Sequence, residues 1–296
     1  DVVVDFCMRY GNPSTKSKVR ALAEQGCQKI VFFPLYPQYA GATTATANDQ
    51  FFRALMEEKW QPTVRTIPAY FDDPVYIDAL AQSVERAYAT LDHEPDVLVA
   101  SYHGVPKRYL MEGDPYHCQC AKTSRLLRER LGWEKGAIDT TFQSVFGPEE
   151  WLRPYTVEHV AELAKAGKKR IAVMAPAFSA DCIETLEEIN GEIREAFERA
   201  IVAAGTVGTT ARWAQFTPSS PTPVAGGAVS FVADGSASTA AEAKASAAGA
   251  EEEKATTEAD KKTFASGAVT GSSIDLGADH GLKTGDAVVY SKGTGT

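Results

Sequence analysis

Residues 96–104 read DVLVASYHG. The run Val97–Ala100 is apolar without alternation, the pattern of a strand covered on both faces. It ends in Ser101, Tyr102, His103 and a glycine, so polar side chains collect where the strand stops. Further strand candidates lie on either side of it. They are DVVVDFCMRY (1–10), KIVFFPLYP (29–37), TVRTIPAY (63–70), IDTTFQSVF (138–146) and RIAVMAPAF (170–178). Helical patterns fill the intervals: 14–27, 48–60, 72–91, 123–132, 156–167 and 183–200. Pro74 stands just inside the start of the third, where its missing N–H costs nothing. Several of these helices end at a glycine, which suits a left-handed cap. Alternating strands and helices predict an α/β fold, a doubly wound parallel sheet with helices on both faces. The break DHEPD (92–96) splits this body into units 1–92 and 93–200. In such sheets ligands bind beyond the carboxyl ends of strands. Tyr36, His103, Ser144 and Phe178 all fall at or just after those ends.

Composition bounds the function. The chain has 296 residues and a net charge of -9, with no Lys/Arg cluster of the kind that phosphate binding needs, so no nucleic-acid partner is expected. No apolar run approaches the ~20 residues that span a bilayer. The chain opens without Met and without a basic segment ahead of an apolar core, so no signal peptide is expected. That opening reads as the middle of a strand, which predicts a chain cut from a longer protein. Cys7, Cys27, Cys118, Cys120 and Cys182 are odd in number and scattered, which reads as cytosolic thiols rather than a disulfide framework. Composition shifts near residue 200. Residues 201–266 are rich in Ala, Ser, Thr, Gly and Pro and are expected to form a disordered low-complexity linker. Residues 267–296 hold two short apolar runs between Gly/Asp turns and read as a small β-hairpin module. The tail 201–296 is expected to be unrelated to the body.

Neither G-x-G-x-x-G nor G-x-x-x-x-G-K-[ST] occurs, so there is no warrant for a nucleotide site. Four groups of residues could carry chemistry. His103, at a strand end before Gly104 and Pro106, is placed as a proton acceptor, and equally as a hydrogen-bonded loop histidine. Asp181, Glu184, Glu188, Glu192 and Glu195 recur at spacings of three and four and share one helical face. Such a row is either a solvated face or a route for protons or a hard divalent cation. His117-Cys118-x-Cys120 has metal-binding residue types but lacks C-x-x-C spacing and a second pair, so a loop with thiols stands beside a metal site. Tyr36, Tyr39, Tyr102, Phe142, Phe146 and Trp151 are core residues or, taken together, walls for a flat aromatic ligand.

Five blocks carry a resemblance: PLYPQYAGATT, SYHGVPKRY, GDPYHCQCAKTSRLL, FQSVFGPEEWLRPYT and MAPAFSADCIETLEEI. In order and spacing residues 1–199 are similar to ferrochelatases of the proteobacterial type. The resemblance implies two Rossmann-like, chelatase-type units with a porphyrin between them, and insertion of ferrous iron into protoporphyrin IX in haem synthesis. It places the family's histidine on His103 and its glutamate on Glu184, as catalytic residues, with Glu188 next along the acidic path. It also implies porphyrin contacts at Tyr36 and Trp151, beside the strand-end residues Tyr102 and Ser144, and metal handling by His103, Glu184 and Glu188. Iron is then a substrate and no cofactor is required. The YPQY block and residues 201–296 lack cysteine, so no iron–sulfur cluster held in that way is expected. The family's first βα unit is expected to be missing before Asp1 and its last strand and helices after Arg199. A cytoplasmic location follows, with peripheral membrane contact through an apolar substrate. A cobalt or nickel chelatase, an inactive truncated or fused fragment, and a surface role for the tail remain open alternatives.

Overall fold

The computed structural model describes residues 2–204 and 210–218, and beyond them the backbone of four short strands at 224–225, 229–230, 269–270 and 273–274. The chain divides into compact units Asp1–Ala248 and Gly249–Thr296.

In the first unit, α1 (Thr15–Glu24) begins where the Ser14 side chain accepts from the N–H of Ser17 at 3.2 Å, an ordinary N-cap. Strands β1 (Lys29–Phe32) and β2 (Thr63–Thr66) pair in parallel, Ile30 beside Val64. Between them run a short π-helix, π1 (Gly41–Ala45), and α2 (Thr46–Met56). Val19, Ile30, Phe51 and Leu55 form the core here, and Phe51 stacks on Phe32 with centroids 4.3 Å apart.

The helix α3 (Pro74–Thr90) leads into the larger sheet. Its parallel strands are β3 (Val97–His103), β4 (Ile138–Gln143), β5 (Arg170–Met174) and β6 (Thr210–Phe216), in the order β4-β3-β5-β6. The short strands β7 (Val224–Ala225) and β8 (Val229–Ser230) both pair antiparallel with β6. The remaining helices of this unit are α4 (Lys107–Met111), α5 (Tyr116–Arg130), α6 (Thr156–Lys165), a second π-helix, π2 (Glu184–Ile193), and α7 (Arg194–Ala203). One face of the sheet offers Leu98, Met174 and Phe216 to Leu80, Val84 and Leu127 of α3 and α5. The other offers Val99, Val173 and Trp213 to Val160, Ile189 and Phe197 of α6, π2 and α7. Both faces of β3 are therefore dry, which is why DVLVA shows no alternation. The expected class, parallel sheets flanked by helices, is the one observed.

Three expectations are corrected. Residues 2–10 form no ladder among the described residues: Val2 and Val4 are 90% and 89% exposed, the one backbone pairing is a bridge from Met8 to Ser14, and side chains such as Asp5 on Lys18 and Arg9 on Gln50 make the other contacts. An apolar run with no partner strand has nothing to fix it as one. The division at residue 92 does not separate two cores, because the apolar face of α3 is buried against β3, β5 and β6. The boundary at 200 falls inside a helix, and TARWAQF at 210–216 is an interior strand whose Trp213 is 2% exposed and lies 6.0 Å from the Phe197 ring.

In the second unit β9 (Val269–Thr270) and β10 (Ser273–Ile274) pair antiparallel. The rest of the expected module at 267–296, and most of the expected linker at 201–266, lie outside the described residues.

Candidate active site

His103 is the last residue of β3 and is half-buried. Its Nδ1 lies 2.7 Å from the carbonyl oxygen of Gly104. A carbonyl can only accept, so Nδ1 carries the hydrogen and the neutral ring keeps its lone pair on Nε2. The backbone carbonyl of His103 accepts from the Tyr116 hydroxyl at 2.9 Å, which ties the strand end to α5. The next residue must be glycine. A Cβ at Gly104 would stand 2.9 Å from the Gln143 carbonyl oxygen and 3.1 Å from the Trp151 ring.

Two cavities meet at this point. One, of about 630 Å³, has walls that include Tyr36, Pro37, Tyr109, Phe146, Trp151 and Phe178. The Phe146 and Trp151 rings lie 4.7 Å apart within that wall. The other, of about 600 Å³, is lined by Ser144 and by Glu184, Glu187, Glu188, Glu192 and Glu195. His103 and Glu184 belong to both linings.

Four of these acidic side chains come from π2, and Glu195 comes from the first turn of α7. Like charges crowded along one helix face repel, and the surrounding strands supply the compensation. Glu188 accepts from the Ser144 N–H and hydroxyl, each at 2.5 Å, and from the Gln143 amide at 3.0 Å. Ser144 reaches it from a left-handed backbone, φ 62°. Only Asn, Asp, His and Gly visit that region with any frequency, so serine pays a conformational cost to present both donors. Gln143 is itself fixed, accepting from Ser101 in a buried chain of hydroxyls that runs through Thr156 to Thr141. Glu184 meets the Cys182 thiol. Burial pushes that thiol above its ordinary range, and the hydrogen bond and charge of Glu184 push it the same way.

The expected site residues divide as follows. His103, Glu184, Tyr36 and Trp151 stand where a strand-end pocket needs them. Glu188 lines the acidic cavity, and so does Ser144, which was expected against a flat ligand. Tyr102 is corrected: it is fully buried in the core, its hydroxyl 3.0 Å from that of Ser124. Side chains alternate along a strand, so a residue beside His103 points the other way. Phe142 is also core, 6.3 Å from the Tyr102 ring. The HCQC segment is no loop: it forms the first turns of α5, with Cys120 buried, Cys118 exposed and the His117 ring stacked on Phe142. Asp181 stays outside the acidic cavity and accepts from the Thr185 hydroxyl at 3.0 Å. Glu187, Tyr109 and Gln143 were missed. Glu187 sits three residues from Glu184, a helical spacing that could have found it. Tyr109 lies inside the quoted SYHGVPKRY block.

A family model for ferrochelatase matches residues 1–217, past Arg199 and through β6. This chain belongs to the ferrochelatase family. It is 77% identical over 200 residues to the ferrochelatase of Rhodobacter capsulatus, covering 68% of this chain and 57% of that one. It is 63% identical over 200 residues to the ferrochelatase of Allorhizobium ampelinum, covering 68% and 58%. With the ferrochelatase of Rhizobium meliloti it shares 61% identity over 196 residues, 66% of this chain and 58% of that one. The chain thus spans somewhat over half the length of these curated ferrochelatases. A solved structure, SirB from Bacillus subtilis with Fe3+, aligns at a TM-score of 0.47 and 15% identity over 65% of this chain and 69% of that one, too slight a likeness to bear on the site. Among the described residues no helix is long and apolar enough to cross a membrane.

Proposed function

We propose that this chain inserts ferrous iron into protoporphyrin IX, as a lyase of haem synthesis. The observation that carries this reading is the shared wall: His103 and Glu184 line both an aromatic cavity and an acidic one. A flat apolar macrocycle fits the first, between Tyr36 and Trp151, and a hard cation is attracted by the second. Insertion replaces two pyrrole N–H bonds with bonds to the metal, so two protons must leave. The free Nε2 of His103 can take one at the meeting point, and the carboxylates from Glu184 to Glu192 can carry protons out or iron in. Glu188, already held by three donors, serves that route as a fixed negative charge. The macrocycle must bend to aim its nitrogens at the metal, and stiff aromatic walls can impose such strain out of binding energy. The reading includes iron as a substrate, no resident cofactor, no iron–sulfur cluster, and a cytoplasmic protein that meets membranes peripherally to collect its apolar substrate.

The test is zinc insertion. Protoporphyrin IX and Zn²⁺ are mixed with the purified chain and metalloporphyrin fluorescence is followed, beside a His103→Ala control. Turnover that drops about 10²-fold or more in the control supports a chelatase with His103 as its base. Folded protein that binds protoporphyrin and shows no turnover overturns the proposal.

A further inference from the structure

π2 opens with two successive carbonyls that are claimed from outside the helix. Glu184 O accepts from Gln143 Nε2 at 3.0 Å, and Thr185 O from Gln215 Nε2 at 2.6 Å. The donors stand on β4 and β6, with β3 and β5 between them, so the first turn is pinned from two separate points. Gln215 lies outside every motif block quoted above and lines neither cavity. It is 2% exposed. Its amide can face only one way, since turning it over would set Oε1 against the Thr185 carbonyl oxygen. As it stands, Oε1 has no hydrogen-bond partner among the described residues. A buried amide satisfied on one side contributes little net stability. A methionine of the same length would fill the space without that cost, so what Gln215 supplies is local.

We propose that Gln215 is a positioning residue. With Gln143 it holds the first turn of π2 in its wide winding and so keeps Glu184 on the wall between the two cavities. An α-helix closes its hydrogen bonds over four residues and a π-helix over five. Without the outside donor, Thr185 O is free to take the tighter bond, from the N–H of Ile189, and the turn carrying Glu184 rotates relative to Glu188. The consequence for metal handling rests on the function proposed above; the hold on π2 does not.

The test compares the full chain with Gln215→Met, which removes the donor, and Gln215→Asn, which keeps an amide one methylene too short to reach. Hydrogen exchange read by mass spectrometry is expected to quicken about two- to ten-fold at residues 184–193, the worth of one net hydrogen bond, and to stay unchanged in α3 and α5. In zinc insertion, KM for Zn²⁺ is expected to rise by a similar factor with KM for protoporphyrin unchanged. Unchanged exchange at 184–193 in both variants overturns the proposal. So does exchange that quickens across the whole sheet, or failure of both variants to fold, because Gln215 is then structural. If the parent chain inserts no zinc, the proposed activity fails while the exchange comparison still decides the role of Gln215.

Discussion

A methyl group at residue 104 has no room. The Gln143 carbonyl and the Trp151 ring close on that position from two sides, and only the ring can give. Gly104→Ala is expected to cost about 1–3 kcal/mol as overpacking and to weaken porphyrin quenching as Trp151 shifts; thermal unfolding and a fluorescence titration read the two effects. Cys182 offers a sharper test of the local field. Burial raises its thiol pKa, and Glu184 raises it further. Glu184→Gln removes the charge, so the pKa falls back, more thiolate is present at pH 8, and alkylation of Cys182 by iodoacetamide speeds up. A rate that is unchanged or slower contradicts the contact. At this scale legibility depended on position within the strand. His103 could be read because a run of apolar residues ends there. Tyr102 was misread because nothing in the sequence says which of two neighbours turns toward the ligand, and a strand sends them to opposite faces.

At the scale of elements, the joint between β3 and β5 turns on Asp96. Its carboxylate accepts from the backbone N–H groups of Lys169 and Arg170, both at 3.0 Å, and from the Arg170 guanidinium. Burial alone would push its pKa up; Arg170 and the two N–H groups outweigh that and hold it below the ordinary range. A depressed pKa adds stability above the unfolded-state value and loses it as pH falls through the folded one. Asp96→Asn is therefore expected to lower unfolding free energy by about 1 kcal/mol at neutral pH, with the gap to the parent closing below the free carboxylate pKa of about 3.9. Denaturant melts at pH 7 and pH 3 check this, and an equal loss at both would remove the charge from the explanation. The helices were mostly readable, since apolar spacing, Pro74 and terminal glycines mark them. The winding of π2 was not. Glu184, Glu188 and Glu192 share a face on either kind of helix, and the donors that favour the wider one, Gln143 and Gln215, arrive from strands 41 and 30 residues away in sequence.

For the molecule as a whole, composition proved a poor guide to where the body ends. Averaged over a window of Ala, Thr and Gly, TARWAQF looks like linker, yet Trp213 and Phe216 fill opposite faces of the sheet. Trp213→Ala is expected to cost about 3–5 kcal/mol, measured by denaturant unfolding. A change below 1 kcal/mol would return β6 to the tail. The α/β class survived this error because it rests on the order of strands and helices, which a misplaced boundary leaves intact. The two cavities that share His103 and Glu184 also have a kinetic meaning. Under the proposed function the substrates arrive by separate doors, so neither has to leave for the other to come in. A planar inhibitor seated against Trp151 would compete with the porphyrin alone and leave the apparent affinity for the metal untouched. A cation that lodges among the glutamates would show the reverse pattern.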